Sequence, residues 1–203
     1  VVRRSRRHRV PDNHLRRSPP SLEAGTVEIV AHTMTINCAR WERINFSSEY
    51  FSAGQKVLVR TNSTATGIDD LDGQRVCAVA GSTNIDNLAA YPGVIAVSQE
   101  DITDCLVLFQ QGSVDAITGD DTVLAGFAAQ DPYAQVVGDA FTDEPYGLGI
   151  KKENVDFVRF VNSVLEEIRA DGTWAEIYDR WLGDIAPPQD PPPALYGREP
   201  TPS

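Results

Sequence analysis

Short β-rich runs alternate with helical stretches through the middle of this chain, and that alternation limits the possible folds more than any other feature. Runs rich in Val, Ile and Thr indicate strands at residues 27–31, 57–60, 75–80, 94–98, 114–118, 135–138 and 147–151. Helical patterns lie between them at 39–44, 85–90, 102–111 and 123–130. Strands separated by helices of this length are typical of βαβ units around a parallel sheet. We therefore predict an α/β fold.

The two ends of the chain differ from this middle part. The first 20 residues contain seven arginines and one acid, whereas the whole chain has a formal charge of -11. The body behind them is therefore strongly acidic, and such a body repels nucleic acid and anionic membranes. No apolar stretch approaches the ~20 residues that span a bilayer. Past residue 185, repeated prolines indicate a solvated tail.

Residues 31–41 run from a predicted strand into a short helix. Thr33 and Thr35 lie at the strand end, where backbone amides point into a crevice, and Arg40 follows within the next helical turn. A planar guanidinium beside backbone amides can bind a carboxylate through parallel hydrogen bonds. The segment is consistent with a carboxylate site, although an arginine after a strand is also common on protein surfaces.

Residues 78–84 combine a strand, a glycine turn and the start of a helix, with Ser82 and Thr83 at the helix N-terminus. Open α/β sheets bind ligands at the carboxyl ends of their strands, and a helix N-terminus there favours an anionic group. The segment lacks the lysine and the glycine spacing of nucleotide-binding loops, which argues against phosphate binding. The alternative interpretation is that Ser82 or Thr83 caps the helix.

Asp120 and Asp121 end a further predicted strand. Adjacent carboxylates can bind a metal ion or pair with an ammonium group. A metal ion usually needs additional ligands, and His32 is the one histidine near the predicted core, so we predict no metal site. An ammonium partner needs a single carboxylate. Helix capping is the alternative, and it would leave one of the two acids without a role.

Three cysteines, Cys38, Cys77 and Cys105, are too few for a disulfide scaffold and lack the CxxC spacing of a metal site. The odd number fits one disulfide and a free thiol, or three reduced thiols. The residues alone leave both possibilities open.

Together these segments resemble the polar amino-acid substrate-binding proteins of ABC importers, solute-binding protein family 3, and within it the glutamine/glutamate-binding branch. The resemblance covers about residues 22–183, and its blocks follow the family's order at 31–40, 45–55, 71–83, 115–121, 145–150 and 171–174. It implies a periplasmic-binding-protein-like type II fold. In that fold two lobes are joined by a two-segment hinge, here near residues 49–55 and 145–150.

The resemblance also implies which residues bind the carboxylate end of an amino acid. Arg40 would bind the α-carboxylate together with the backbone amides of Thr35 and Thr83, and Ser82 would lie beside them. Because these groups and those of the ammonium end lie on different lobes, a ligand would favour the closed state through contacts that the open state lacks.

At the ammonium end, the resemblance assigns the α-ammonium to the carbonyl of Thr33 and the carboxylate of Asp120, with Asp121 as the weaker candidate. A zwitterion leaves water only when both of its charges meet fixed partners. Family members with cysteines at matching places also imply a Cys77–Cys105 disulfide. Cys38 would then be unpaired.

A complete lobe one in this family begins with a strand, a helix and a second strand before residue 22, where this chain has its arginine-rich stretch. We expect an N-terminally truncated member with an incomplete lobe one. The expected division is a basic disordered segment at 1–21, partial lobe one at 22–49 plus 150–184, lobe two with the hinge segments at 50–149, and a Pro-rich disordered tail at 185–203.

The resemblance implies a non-enzymatic protein without a cofactor that binds free glutamate or glutamine and delivers it to an ABC permease. We expect a monomer if the chain is complete, and an extracytoplasmic parent, either periplasmic or a cell-surface lipoprotein. The chain itself shows no signal peptide or lipid-attachment motif. The alternatives are a dehydratase-like enzyme on the same clamp, with Asp121 or His32 as its acid or base, and a truncated remnant that binds nothing.

Overall fold

Two β-sheets with separate apolar cores organise the protein, whose computed structural model describes residues 18–195. The predictions made for residues 1–17 and 196–203 lie outside the described residues. Within the described range, no helix combines the length and the apolar character needed to cross a membrane.

The smaller sheet has three short antiparallel strands in the order β1-β9-β2 and corresponds to predicted lobe one. Its strands are β1 (Ile29–Val30), β2 (Asn45–Phe46) and β9 (Gly149–Ile150). Its helices are α1 (Ser18–Glu23), α2 (Cys38–Arg43), α6 (Val155–Ala170) and α7 (Thr173–Leu182). Because β9 comes late in the chain, this sheet forms only when both chain crossings between the lobes are made.

The larger sheet has six strands and corresponds to predicted lobe two, with the order β5-β4-β6-β3-β7 and with β8 paired to β3. Its strands are β3 (Phe51–Arg60), β4 (Arg75–Val79), β5 (Ile95–Gln99), β6 (Ala116–Asp120), β7 (Ala134–Val137) and β8 (Asp143–Tyr146). Its helices are α3 (Thr83–Asn87), α4 (Ile102–Gln110) and α5 (Asp121–Gln130), with short 3₁₀ turns at Ile68–Leu71 and Leu88–Ala90.

The strand directions correct one expectation, because the larger sheet is mixed rather than parallel. Strand β4 is parallel to β5 and β6, but β3 is antiparallel to both β6 and β7. Strand β3 is also buried on both faces, since Leu58 packs in one core cluster and Val57 and Val59 pack in the other. The chain therefore enters lobe two through a central, reversed strand, which anchors the crossing between the lobes.

The helix α1 corrects the boundary of the predicted disordered segment at 1–21, since the helix already begins at Ser18. Prolines are tolerated in the first turn of a helix, where the missing N–H has no intrahelical partner. Leu22 is fully buried and packs with Val30 and Met34 in the core of lobe one. Apolar packing at the end of this segment therefore outweighs its polar, proline-rich composition.

The predicted solvated tail is also wrong for its first residues, which lie against the body. The Tyr178 hydroxyl donates to the carbonyl of Pro187 over 2.5 Å, and the Gln189 side chain donates to the carbonyl of Ser52 over 3.1 Å. Ala186 packs beside the aromatic cluster of α7 and β3. Prolines prevent regular structure here, but their carbonyls still accept hydrogen bonds.

A disulfide joins Cys77 of β4 to Cys105 of α4, while Cys38 is free and exposed. Both bonded cysteines are completely buried in a core cluster of lobe two. The bridge closes a loop of 28 residues and so restricts the unfolded chain.

Replacing both Cys77 and Cys105 with alanine is expected to lower the free energy of unfolding by about 3 kcal/mol, because the loop entropy of the unfolded state is released. Urea titration followed by circular dichroism measures the change. Cys38→Ser is the matched control and should leave the midpoint unchanged. Equal midpoints for the double variant and wild type would contradict the prediction.

Candidate functional site

A cavity of about 220 Å³ lies between the two sheets. Lobe one contributes the loop after β1, and lobe two contributes the carboxyl ends of β4, β5 and β6 with the starts of their helices. The lining residues are His32, Thr33, Val79, Asn84, Glu100, Asp101, Ile102, Gly119, Asp120 and Val123. Carboxyl ends of strands are where open α/β sheets bind ligands.

Asp120 is the buried charged group of this cavity. Its side chain is only 6% exposed, and its Oδ1 accepts a hydrogen bond of 3.0 Å from the Asn84 amide. Its Oδ2 accepts from the Tyr146 hydroxyl. Burial raises the pKa of Asp120 to about 6, although both hydrogen bonds oppose the shift. An ammonium group in the cavity would be a positively charged partner for this carboxylate, whose two hydrogen-bond donors are neutral.

Arg40 lies beside a different, neighbouring cavity of about 350 Å³ that Gly81 and Asp86 also line. Asn37 caps helix α2 by accepting from the Arg40 backbone N–H, and the Arg40 Nη1 donates to the Thr35 carbonyl over 2.8 Å. Burial lowers the pKa of Arg40, and Glu144, Asp86 and Asp120 oppose the shift, so these carboxylates lie within electrostatic range. The structure therefore brings Arg40 near Asp120 but not into the same cavity.

Thr35 and Thr83 face each other across the cleft, and both contact Glu144. Their hydroxyl oxygens are 3.2 Å apart, and both donate to the Oε2 of Glu144, over 2.5 and 2.6 Å. Glu144 is 1% exposed and lies on β8. Its Oε1 accepts from the Asn87 amide and the Thr142 hydroxyl, each over 3.0 Å.

Two predicted residues have structural roles instead. The Ser82 hydroxyl accepts from the Ile85 backbone N–H and donates to the Val79 carbonyl, so it caps α3 and lines neither cavity. Asp121 begins α5, accepts from the Thr122 backbone N–H over 2.7 Å and likewise lines neither cavity. A local hydrogen bond to the backbone, as both side chains make, competes with ligand binding for a short polar side chain. We therefore remove both side chains from the candidate site.

Thr33 and His32 remain at the cavity wall, where the Thr33 hydroxyl lies 3.1 Å from His32 Nδ1. Burial lowers the pKa of His32, opposed by the hydrogen bond that its ring donates to the Thr33 backbone and by the charge of Asp101. Among residues 18–195, no group of His, Cys, Asp and Glu side chains is arranged to hold a metal ion.

Residues 11–184 match the bacterial extracellular solute-binding proteins, family 3. The match covers most of the chain and both lobes. The chain belongs to this family.

The named relatives of this family 3 protein are amino-acid-binding proteins. It is 34% identical over 165 residues to the ABC transporter glutamine-binding protein GlnH of Bacillus subtilis, covering 80% of this chain and 60% of GlnH. It is 35% identical over 172 residues to the glutamate-binding protein GluB of Corynebacterium glutamicum, covering 80% and 58%. The chain thus spans about three fifths of the length of these relatives.

Solved structures place the family 3 protein in the predicted fold. An ancestral arginine-binding protein bound to glutamine matches with a TM-score of 0.79 and 31% identity, over 84% of this chain and 77% of that one. The α/β class and the type II binding-protein fold are therefore confirmed.

Sequence reasoning missed Glu144, Asn84 and Tyr146. Glu144 lies between an acid and a proline, a context typical of an exposed turn, so its burial has no local signal. Asn84 directly follows the predicted Ser82–Thr83 pair, and Tyr146 lies within the 145–150 block. Both belong to segments that were recognised, but their contacts with Asp120 depend on how the elements of the larger sheet pack, since they join residues 36 and 26 positions apart.

Proposed function

We propose that this chain binds a free polar amino acid, glutamine or glutamate, between its two lobes as the substrate-binding component of an ABC importer. The observation that carries this proposal is the buried carboxylate of Asp120 in the wall of a cavity between the lobes, in a chain of this family. The two relatives named for glutamine and glutamate support the choice of ligand.

Both charged ends of the ligand have a partner in this proposal. The α-ammonium binds Asp120 and the Thr33 carbonyl at the first cavity. The α-carboxylate binds Arg40, which uses one N–H on the Thr35 carbonyl and has further donors for a bidentate contact. The backbone amides of Thr35 and Thr83 complete the carboxylate site, and the ligand joins the two neighbouring cavities.

Division of the partners between two lobes explains how binding would drive closure. The strands β3 and β8 carry the chain between the lobes and pair with each other over Phe51–Gly54 and Asp143–Tyr146. Two adjacent strands form a hinge that bends without unfolding either sheet. A ligand that contacts both lobes stabilises the closed state by the contacts that the open state lacks. We propose that a membrane permease recognises this closed state in an extracytoplasmic compartment.

Glutamine should bind more tightly than glutamate. Asp120, Asp86 and Glu144 all act on Arg40, so the site already holds more acid than base. The second carboxylate of glutamate would add a like charge in a partly desolvated place.

Titration calorimetry with glutamine, glutamate and arginine tests the proposal. The expected result is saturable binding of glutamine with one ligand per chain, weaker binding of glutamate, and no consumption of either compound. A folded protein, verified by circular dichroism, that binds none of the three at millimolar concentration would contradict the proposed function.

A further inference from the structure

We infer that Glu144 is a positioning residue that latches lobe one to lobe two at the ligand site, an inference that rests on the proposed function. Glu144 is not among the residues assigned to the charged ends of the ligand. Its carboxylate is almost fully buried, and such a group is stable only when its lone pairs are satisfied. Four neutral side-chain donors satisfy them, two on each oxygen.

The donors come from different parts of the fold. Thr35 belongs to lobe one, in the segment between β1 and α2. Thr83 and Asn87 are the first and last residues of α3 in lobe two. Backbone hydrogen bonds from Ile36 to Pro145 and from Gly147 to Met34 hold the Thr35 segment beside β8. The single atom Oε2 accepts from both Thr35 and Thr83, so one charged oxygen links that segment to helix α3 of lobe two. Hydrogen bonds to a carboxylate are stronger than those between neutral groups.

The latch is directly connected to both proposed ligand contacts. The Thr35 carbonyl accepts from Arg40, and Asn84, which follows Thr83, donates to Asp120. A shift of Thr35 relative to Thr83 would therefore change the separation of Arg40 and Asp120. Glu144 thus sets the spacing of the two charges that a zwitterion must match. Because the hydroxyls of Thr35 and Thr83 both donate to Glu144, the ligand would contact the backbone amides of these threonines.

Thr142 provides a matched control for this role. Its hydroxyl also donates to Glu144, over 3.0 Å, but Thr142 lies only two residues away on the same returning segment. Thr35→Val and Thr142→Val each remove one hydroxyl donor from the same carboxylate with little change in shape. Only Thr35→Val removes a bond that crosses between the lobes.

The experiment measures glutamine affinity by calorimetry, the urea midpoint, and the distance between two spin labels in the ligand-free protein. One label is attached to Cys38, which is free and exposed in lobe one, and the other to Ser113→Cys, at an exposed position in lobe two. Thr35→Val should weaken glutamine binding at least 10-fold and lengthen or broaden the label distance. Thr142→Val should lower the midpoint by a similar amount, change affinity less than 2-fold and leave the distance unchanged.

Two further variants keep the test decisive if Thr35→Val does not fold. Thr83→Val removes the other donor to Oε2, but Asn87 still links Glu144 to α3, so its effect should have the same direction as that of Thr35→Val and a smaller size. Glu144→Gln removes the charge but keeps the shape. The double variant Glu144→Gln/Thr83→Val should lose less glutamine affinity than the two single variants together, because both substitutions act on the same contact.

The outcomes separate the latch from the proposed function. If wild type binds glutamine but the Thr35 or Thr83 variant behaves like Thr142→Val, the positioning role of Glu144 is wrong and the proposed function stands. If wild type binds no amino acid, the proposed function fails. The label distance in the ligand-free protein still tests whether Glu144 holds the two lobes in position. An unchanged label distance in Thr35→Val would then overturn the positioning role of Glu144.

Discussion

Replacing Arg40 with alanine is expected to weaken glutamine binding about 10²–10³-fold, or roughly 3–4 kcal/mol. The guanidinium is half-buried, and burial already lowers its pKa. Its removal would leave the ligand carboxylate close to Glu144 and Asp86 without a positive partner. Arg40→Lys keeps the charge but loses the planar pair of donors, so its affinity should lie between those of wild type and Arg40→Ala.

Titration calorimetry at pH 7.5 measures this loss, and Arg75→Ala is the charge-matched control. Arg75 pairs with Asp115 on the exposed surface of lobe two, so its loss should change affinity less than 2-fold. A similar affinity for wild type and Arg40→Ala would exclude Arg40 from the carboxylate site. The same loss in both arginine variants would point to a general effect of net charge.

Asp120→Asn should weaken glutamine binding at least 100-fold and yet stabilise the ligand-free protein by about 1–3 kcal/mol. Burial raises the pKa of Asp120 from its usual 3.8 to about 6, so ionisation in the folded state is costly. The asparagine removes this cost and can still accept from Asn84 while its amide faces the Tyr146 hydroxyl. Stability would thus rise where function is lost, as is common at binding sites.

The pH dependence of wild type follows from the same shift. Because the folded pKa lies above the unfolded one, the free energy of unfolding should fall as pH rises from about 4 to about 6 and then level off. Glutamine affinity should change in the opposite direction, weakening as pH falls through about 6 and Asp120 becomes neutral. Urea midpoints and calorimetry across pH 4.5–8 measure both trends for wild type and Asp120→Asn, whose curves should be flatter. Parallel curves for the two proteins would show that another group titrates.

The strands and helices of lobe two could be predicted well from local pattern. The strand predicted at 75–80 is Arg75–Val79, and the helix predicted at 102–111 is Ile102–Gln110. These elements are buried mainly by neighbours within the same lobe, so apolar periodicity reports their environment. Tertiary contacts therefore add little to what the local sequence already determines.

The paired strands at Phe51–Gly54 and Asp143–Tyr146 were not predicted as strands, because their composition is unfavourable for strands. Strand β3 begins at Phe51, six residues before the predicted start. Its next three residues are Ser52, Ala53 and Gly54. Its partner β8 consists of two acids, a proline and a tyrosine. Glycine, proline and acids are disfavoured in strands, so pairing between the two crossings overrides propensity here. On its other side β8 forms an isolated antiparallel bridge to Thr35, and Pro145 is accommodated there because its carbonyl accepts from the Ile36 N–H over 2.7 Å.

The candidate site shows the same division between local and long-range information. Sequence patterns and the family resemblance identified Arg40, Thr35, Thr83 and Asp120, because each follows a strand end or begins a helix. They could not distinguish Ser82, which caps α3, from a ligand contact, since both roles favour the same hydroxyl at the same position.

By itself, the sequence determined the α/β class, the family and the segments that line the cleft, because strand and helix periodicity and the order of the motifs are properties of neighbouring residues. Only the tertiary structure decided that β3 runs against its neighbours, that Arg40 and Asp120 face adjacent cavities, and that Glu144 lies buried between the lobes. These features depend on contacts between residues up to 109 positions apart, such as Thr35 with Glu144. The cost of burying a charge is set by whichever donors the fold brings to it, and no local pattern records them.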